Sequence, residues 1–217
     1  MIKLDLKNLN ELGIYDLFVV DFDGTIVDSM EMWRYICPNF LKYKNVKTED
    51  DVLSLVSSLT NKEIAKMMQK RYFPDNSVLE VTTEFFEYIK MEYVNQKVKP
   101  GAIKLLEEIN KIGKVVLYSA TAKYLVETLV DICHLRPYFS EIYSGSDLGL
   151  SKRDGTGYLE IIKLCGNYQK PLILEDAPHA IIGASSQGLD VLAIKDFSNL
   201  SHPEIVESNS KYYLDLY

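Results

Sequence analysis

Leu17-Phe18-Val19-Val20-Asp21-Phe22-Asp23-Gly24-Thr25 is the stretch that decides how this chain folds. Four apolar residues in a row read as a strand buried on both faces, as inside a parallel sheet. The run stops at a carboxylate, and a second follows two residues on. Side chains alternate along extended backbone, so Asp21 and Asp23 lean toward the same spot beyond the strand's end. Gly24 lets the backbone come close to whatever sits there, and Thr25 adds a hydroxyl. Two acids, a glycine and a hydroxyl at the carboxyl end of a buried strand describe a site for a hard cation and a phosphate. Taken alone, the same stretch also fits a strand ending in an ordinary acidic turn.

Downstream, Asp28-Ser29-Met30-Glu31 has capping-box spacing, which predicts a helix from Ser29. The pattern then stays helical to about Val98. Thr60-x-x-Glu63 opens one helix with Ile64, Met67, Met68 and Tyr72 on its apolar face. Ser77-x-x-Glu80 opens another, with Thr82, Phe85, Phe86, Ile89 and Tyr93 at helical spacing. Pro74-Asp75-Asn76 punctuates between them. Residues 29–98 are too many for a crossover and show no strand-like alternation, so they are expected to form an inserted all-helical domain. Within it, Trp33, Arg34, Lys62, Lys66, Lys70 and Arg71 read as solvated helix faces, and Met67, Met68, Phe85 and Phe86 as core.

Beyond the insert, strands and helices alternate. Pro100-Gly101 opens a helix through Leu105, Leu106 and Ile109 that ends at Gly113. Short apolar runs follow at Val115–Tyr118, Glu141–Ser144, Leu172–Leu174 and Val191–Ile194, separated by helical patterns. This order implies α/β architecture: a Rossmann-like, three-layer parallel-sheet core made of residues 1–28 and 99–217. Residues 1 to about 14 fit a short strand or an amphipathic turn. Ligands of such sheets bind beyond the carboxyl ends of the strands. Asp21 and Asp23, Ser119, Lys152, and Glu175 with Asp176 all fall on that rim.

Composition narrows the partners. The chain has 217 residues, 47% hydrophobic and 25% charged, with a formal net charge of −7. That acidity without a basic run argues against nucleic acid and anionic membranes, while leaving room for an anionic substrate met by a metal and a lysine. Cys37, Cys133 and Cys165 are scattered and lack metal-ligand spacing, as expected of thiols in a reducing compartment. No stretch reaches membrane-spanning length and the first residues include acids, so a cytoplasmic protein is expected. A monomer and a homodimer both fit.

The ordered set resembles the haloacid dehalogenase-like phosphohydrolase superfamily along nearly the whole chain. Asp21-Phe22-Asp23-Gly24-Thr25 matches its first motif, Tyr118-Ser119 the second, Lys152 the third, and Glu175-Asp176-Ala177-Pro178 the fourth. The helical insert is similar to the cap of the subgroup containing phosphoglycolate phosphatase-like enzymes and β-phosphoglucomutase. The resemblance implies a Mg²⁺-dependent phosphatase acting on a small phosphorylated metabolite. A metal facing the phosphate dianion lowers its repulsion of an attacking carboxylate. Asp21 would be the nucleophile and Asp23 the general acid and base. Asp21, the Asp23 carbonyl, Glu175 and Asp176 would hold the ion. Ser119, Thr25 and the backbone N–H groups of Phe22, Gly24 and Ala120 are candidates to bind the phosphoryl oxygens. Lys152 would offset charge and keep Asp21 ionised. Duller roles also exist: helix N-cap for Ser119, solvated loop for Lys152, first-turn acids for Glu175 and Asp176. His179 reads as structural or rim-exposed.

Two departures bear on the reading. The segment after the third-motif lysine usually carries prolines and an acid, but here it is Lys152-Arg153-Asp154-Gly155-Thr156-Gly157-Tyr158, and Arg153 competes for the lysine's role. Mutases of the subgroup carry a Gly-x-Ser-Arg cap segment, which Ser58-Leu59-Thr60-Asn61-Lys62 lacks. A sugar-phosphate mutase is therefore the second enzymatic reading. A dehalogenase or phosphonate hydrolase is disfavoured by the acid at Asp23. Outside enzymes, a phospho-accepting receiver has its nucleophile on a different strand and no helical insert, and a catalytically silent binding protein would not need intact acidic motifs.

Overall fold

A computed structural model describes residues 1–49, 51–56 and 59–217. It divides into two compact units, Met1–Met30 with Gln96–Tyr217, and Glu31–Asn95. Among the described residues the first unit carries seven parallel strands: β1 (Ile2–Lys3), β2 (Leu17–Val20), β3 (Lys114–Ser119), β4 (Glu141–Ser144), β5 (Pro171–Glu175), β6 (Asp190–Ile194) and β7 (Tyr212–Leu214). Their order across the sheet is β1-β7-β6-β5-β2-β3-β4.

The central position of β2 explains its unbroken apolar run. Leu17, Phe18, Val19 and Val20 are fully buried, each contributing about 1.5–3 kcal/mol relative to exposure. Leu17 and Val19 join Val116, Tyr118, Ile173, Val191 and Ala193 in a core closed by Tyr158 and Ile161 of one helix and Ala180, Ile181 and Ala184 of another. The alternate residues Phe18, Val20, Leu117, Leu172 and Leu192 are equally buried, so both faces of the sheet are covered. Register then sets the site. Val20 lies opposite Leu117 on one side and Leu174 on the other, so Asp21 emerges level with the ends of β3 and β5.

Five of the strands coincide with the apolar runs read from the sequence. Of the other two, β1 falls within residues 1–14, where a short strand is one of the two expectations, and β7 has no such run. Two and three residues are too short to display an alternation, and β1 exists through pairing with the far end of the chain: Ile2 lies opposite Tyr212. The helix expected from Ser29 runs Met30–Tyr43, one residue later; the Asp28 carboxylate accepts the Tyr217 hydroxyl at 3.0 Å and the Ser29 hydroxyl donates to Asp23.

The second unit is helical throughout its named elements, Met30–Tyr43, Val52–Val56, Asn61–Tyr72 and Val78–Tyr93. Both capping boxes form, Thr60 with Glu63 and Ser77 with Glu80. Each satisfies two amides that a helix start would leave unpaired. Phe40 packs against Phe85 and Tyr88 with ring centroids 5.2 and 5.5 Å away. The last helix buries Val81, Phe85, Tyr88, Ile89 and Tyr93, while Thr82 bonds back to the Val78 carbonyl rather than packing. Ser58 lies outside the described residues. In the first unit, the segments leading to and from the insert run side by side: Val27 bridges Val98 antiparallel, and the Asp28 N–H donates to the Lys97 carbonyl at 2.8 Å.

Candidate active site

β2 and β5 end side by side and deliver Asp21, Glu175 and Asp176 to one buried spot, where an oxygen of each lies within 4.8 Å of the others. Lys152 answers them. Its amine hydrogen-bonds Asp21 Oδ1 and donates to Glu175 Oε2 at 2.9 Å. The amine also sits over the rings of Tyr118 and Tyr158, 5.1 and 5.7 Å from their centroids, an attraction of about 0.5–2 kcal/mol per ring. Tyr158 donates its hydroxyl to Glu175 Oε2 at 2.7 Å, and Glu175 Oε1 accepts the Asp176 and Ala177 N–H groups, both at 3.1 Å. Glu175 thus accepts four hydrogen bonds and orients Lys152. Arg153, its rival from the sequence, is exposed.

Charge at this spot is out of balance. Burial, then the Glu175 carboxylate, push the Asp21 carboxyl up to about 7 against the pull of Lys152. Burial, Glu175 and Asp21 together hold Asp176 well above the ordinary carboxylate range. For Lys152, burial works against its charge, but Asp21 and Glu175 outweigh it and raise its proton affinity. Burial likewise opposes ionisation of Glu175, yet Lys152 and Tyr158 prevail and lower its value. With all three carboxylates ionised, the one ammonium leaves two negative charges, which one divalent cation would balance. The side-chain donors are all oxygen, as Mg²⁺ prefers over softer ligands. The residues present fit such an ion.

Asp23 stands apart from this cluster in a cage of hydroxyls. Ser29 donates to its Oδ1 at 2.8 Å, while Ser119 and Thr121 donate to Oδ2 at 3.2 and 2.8 Å. Ser119 accepts the Thr121 N–H at 3.0 Å. It does not cap the helix Lys123–Ile132, whose first turn has no side-chain cap. Two expectations for the phosphate need correcting. The Gly24 N–H is spent on the Val27 carbonyl at 2.8 Å, because the chain turns back sharply to reach Val27. What requires glycine is instead φ of +81° and the closeness of Asp176, whose Oδ2 would lie 2.4 Å from a Cβ at this position. The Thr25 hydroxyl points to Asp176 Oδ1 at 3.2 Å. Phe22 is fully buried, and Ala120 is exposed beside Ser119.

The remaining residues singled out by sequence lie elsewhere. His179 is exposed on the helix Pro178–Ser186. Trp33, Arg34 and the basic residues 62–71 belong to the second unit, where Arg71 pairs with Asp51 at 3.1 Å. Ser29, Thr121, Tyr158, Ser198 and Asn199 also hold site residues, without a sequence motif that gives them that role. Thr121 was within reach, two residues past Ser119. Ser198 and Asn199 follow β6, a fifth strand end on the same rim, and no sequence motif marks them.

A buried acid cluster with one lysine, beyond the carboxyl ends of a parallel sheet interrupted by a helical unit, defines a class, and sequence comparison names it. Residues 15–188 match the family of haloacid dehalogenase-like hydrolases, and the chain belongs to that family. Solved structures share the fold. A candidate β-phosphoglucomutase of Thermotoga maritima superposes with a TM-score of 0.76 at 17% identity, covering 92% of this chain and 94% of its own. A phosphoglycolate phosphatase assigned in Haemophilus somnus 129PT gives 0.72 at 17%, covering 92% and 93%. A candidate haloacid dehalogenase-type hydrolase, YfnB of Bacillus subtilis, solved bound to magnesium, gives 0.70 at 15%, covering 92% and 93%. No helix among the described residues is long and apolar enough to cross a membrane.

Proposed function

We propose that this hydrolase is a Mg²⁺-dependent phosphatase that cleaves a small phosphorylated metabolite through an aspartyl-phosphate on Asp21, acting in the cytoplasm. The observation that carries the reading is the meeting of Asp21 and Asp176, from two strand ends, against the buried amine of Lys152. The bound ion would supply charge neutralisation for the phosphate dianion and its transition state. Asp21, Asp176 and the Asp23 carbonyl would hold it, with Glu175 engaged mainly in orienting Lys152.

The chain's own groups account for the remaining chemistry. An Asp21 oxygen forms a bond to phosphorus as the ester P–O bond breaks. Asp23 gives its proton to the departing alkoxide and then takes one from the water that cleaves the acyl phosphate, restoring both carboxyl groups. The three hydroxyls around Asp23 keep its side chain aimed while either protonation state is present. Lys152 holds Asp21 in the direction of attack and offsets the incoming negative charge. Charge supports a small anionic substrate over nucleic acid or membrane, the net −7 being unsuited to either.

Release of phosphate from p-nitrophenyl phosphate tests the reading. Activity should require Mg²⁺, vanish with EDTA and vanish in Asp21→Asn. A folded protein that releases no phosphate from that ester or from a broad phosphometabolite panel would overturn it. Interconversion of sugar-phosphate isomers without free phosphate would instead make the protein a mutase.

A further inference from the structure

The turn after β6 reaches across to the end of β5 and takes hold of Asp176. Ser198 donates its hydroxyl to Asp176 Oδ2 at 2.5 Å, opposite Thr25 on Oδ1. The Asn199 carboxamide donates to the main-chain carbonyls of Asp176 and Ile194, at 2.9 and 2.8 Å, tying the ends of β5 and β6 together. A serine two residues into a short helix would ordinarily serve its own turn. Here that task belongs to Asp196, whose carboxylate accepts the Ser198 N–H at 2.9 Å. Asp196 is itself held by a fully buried ion pair, its Oδ2 accepting from the Lys99 amine at 2.7 Å. Lys99 also donates to the Lys195 carbonyl at 3.0 Å. The turn 196–199 therefore has its own anchors, and the Ser198 hydroxyl is spared for Asp176.

We propose that Ser198 is a positioning residue for the metal-holding carboxylate of Asp176, aimed by a turn that Lys99 and Asp196 lock in place. The proposal rests on the reading of Asp176 as a metal ligand. A carboxylate on a flexible side chain has several rotamers, and one that must meet a cation with a set direction gains from a donor fixing its second oxygen. Sequence gives Ser198 no motif. Its place is set by the adjacency of β5 and β6, whose residues Glu175 and Ala193 lie opposite each other.

Manganese binding, followed by the electron paramagnetic resonance of free Mn²⁺, tests this without turnover. Ser198→Ala should bind Mn²⁺ about 10- to 100-fold more weakly than the unaltered protein, with an unchanged circular dichroism spectrum. Ser198→Thr, which keeps a hydroxyl, should recover most of the affinity, and Asp176→Asn should abolish it. Ser198→Cys, a near-isosteric and weaker donor, should show the same direction of change and serves if the alanine variant does not fold. Unchanged affinity in Ser198→Ala, or equal losses in the alanine and threonine variants, would overturn the positioning role and leave the phosphatase reading standing. No binding by the unaltered protein, or full binding by Asp176→Asn, would overturn both.

Discussion

One ammonium faces three buried carboxylates at the end of β2, and that imbalance governs the chemistry of individual residues. The raised Asp21 binds its proton more tightly folded than unfolded, so its contribution to stability in the metal-free protein is fully present only below about pH 4 and is lost progressively as pH rises to about 7. A divalent ion competes with that proton. The increase in melting temperature on adding Mg²⁺ should therefore be larger at about pH 8 than at about pH 5. An increase independent of pH, in a differential scanning fluorimetry series, would place the ion away from Asp21. Asp23 has a separate signature. In Asp23→Asn, p-nitrophenolate can leave without a proton, but on the proposed mechanism the water has lost its base. The expected result is a burst of one equivalent of product followed by turnover slowed about 10²–10⁴-fold. Steady turnover near that of the unaltered enzyme would assign the base elsewhere.

Among the elements, the loop that presents Lys152 matters most, because it lacks the prolines that stiffen its counterparts. Glycine stands in for them. Gly155 has φ of +77°, and a Cβ there would lie 2.0 Å from the Gly183 carbonyl oxygen; a Cβ on Gly183 would lie 2.2 Å from the Lys152 oxygen. Loop and helix Pro178–Ser186 thus touch backbone to backbone, and that contact fixes where the lysine starts. Gly183→Ala, which in a helix interior would ordinarily stabilise by about 0.5–1 kcal/mol, should here destabilise by about 1–3 kcal/mol. Urea unfolding reads the sign directly. The helix starts of the insert, by contrast, were legible outright: Thr60-x-x-Glu63 and Ser77-x-x-Glu80 need only neighbours three residues apart.

For the molecule as a whole, the Lys99–Asp196 pair links the segment returning from the insert to the turn after β6. Both side chains are almost wholly buried. Lys99→Met would strand the Asp196 carboxylate and should cost about 3–5 kcal/mol, seen as a lower urea midpoint with an unchanged slope. A loss below about 1 kcal/mol would mean that water reaches Asp196 in the variant. The side-by-side course of Val27 and Val98 brings the two ends of the insert together. Replacing Glu31–Asn95 with a short flexible loop should leave a folded unit that still hydrolyses p-nitrophenyl phosphate but discriminates poorly among phosphometabolites. Equal selectivity without the insert would deny it the role of a cap.

Local chemistry alone established much of this protein. A buried strand reveals itself by an unbroken apolar run, a helix start by its capping box, and the acidic rim by carboxylates placed where such runs stop. These signals survive in one dimension because each depends on residues a few positions apart. Tertiary structure decided the rest: β1 at the sheet's edge and β7 beside it, which pair opposite ends of the chain, and the grip of Ser198 and Asn199 on Asp176. Those contacts join positions that only the packed sheet brings together, and no spacing along the chain encodes them.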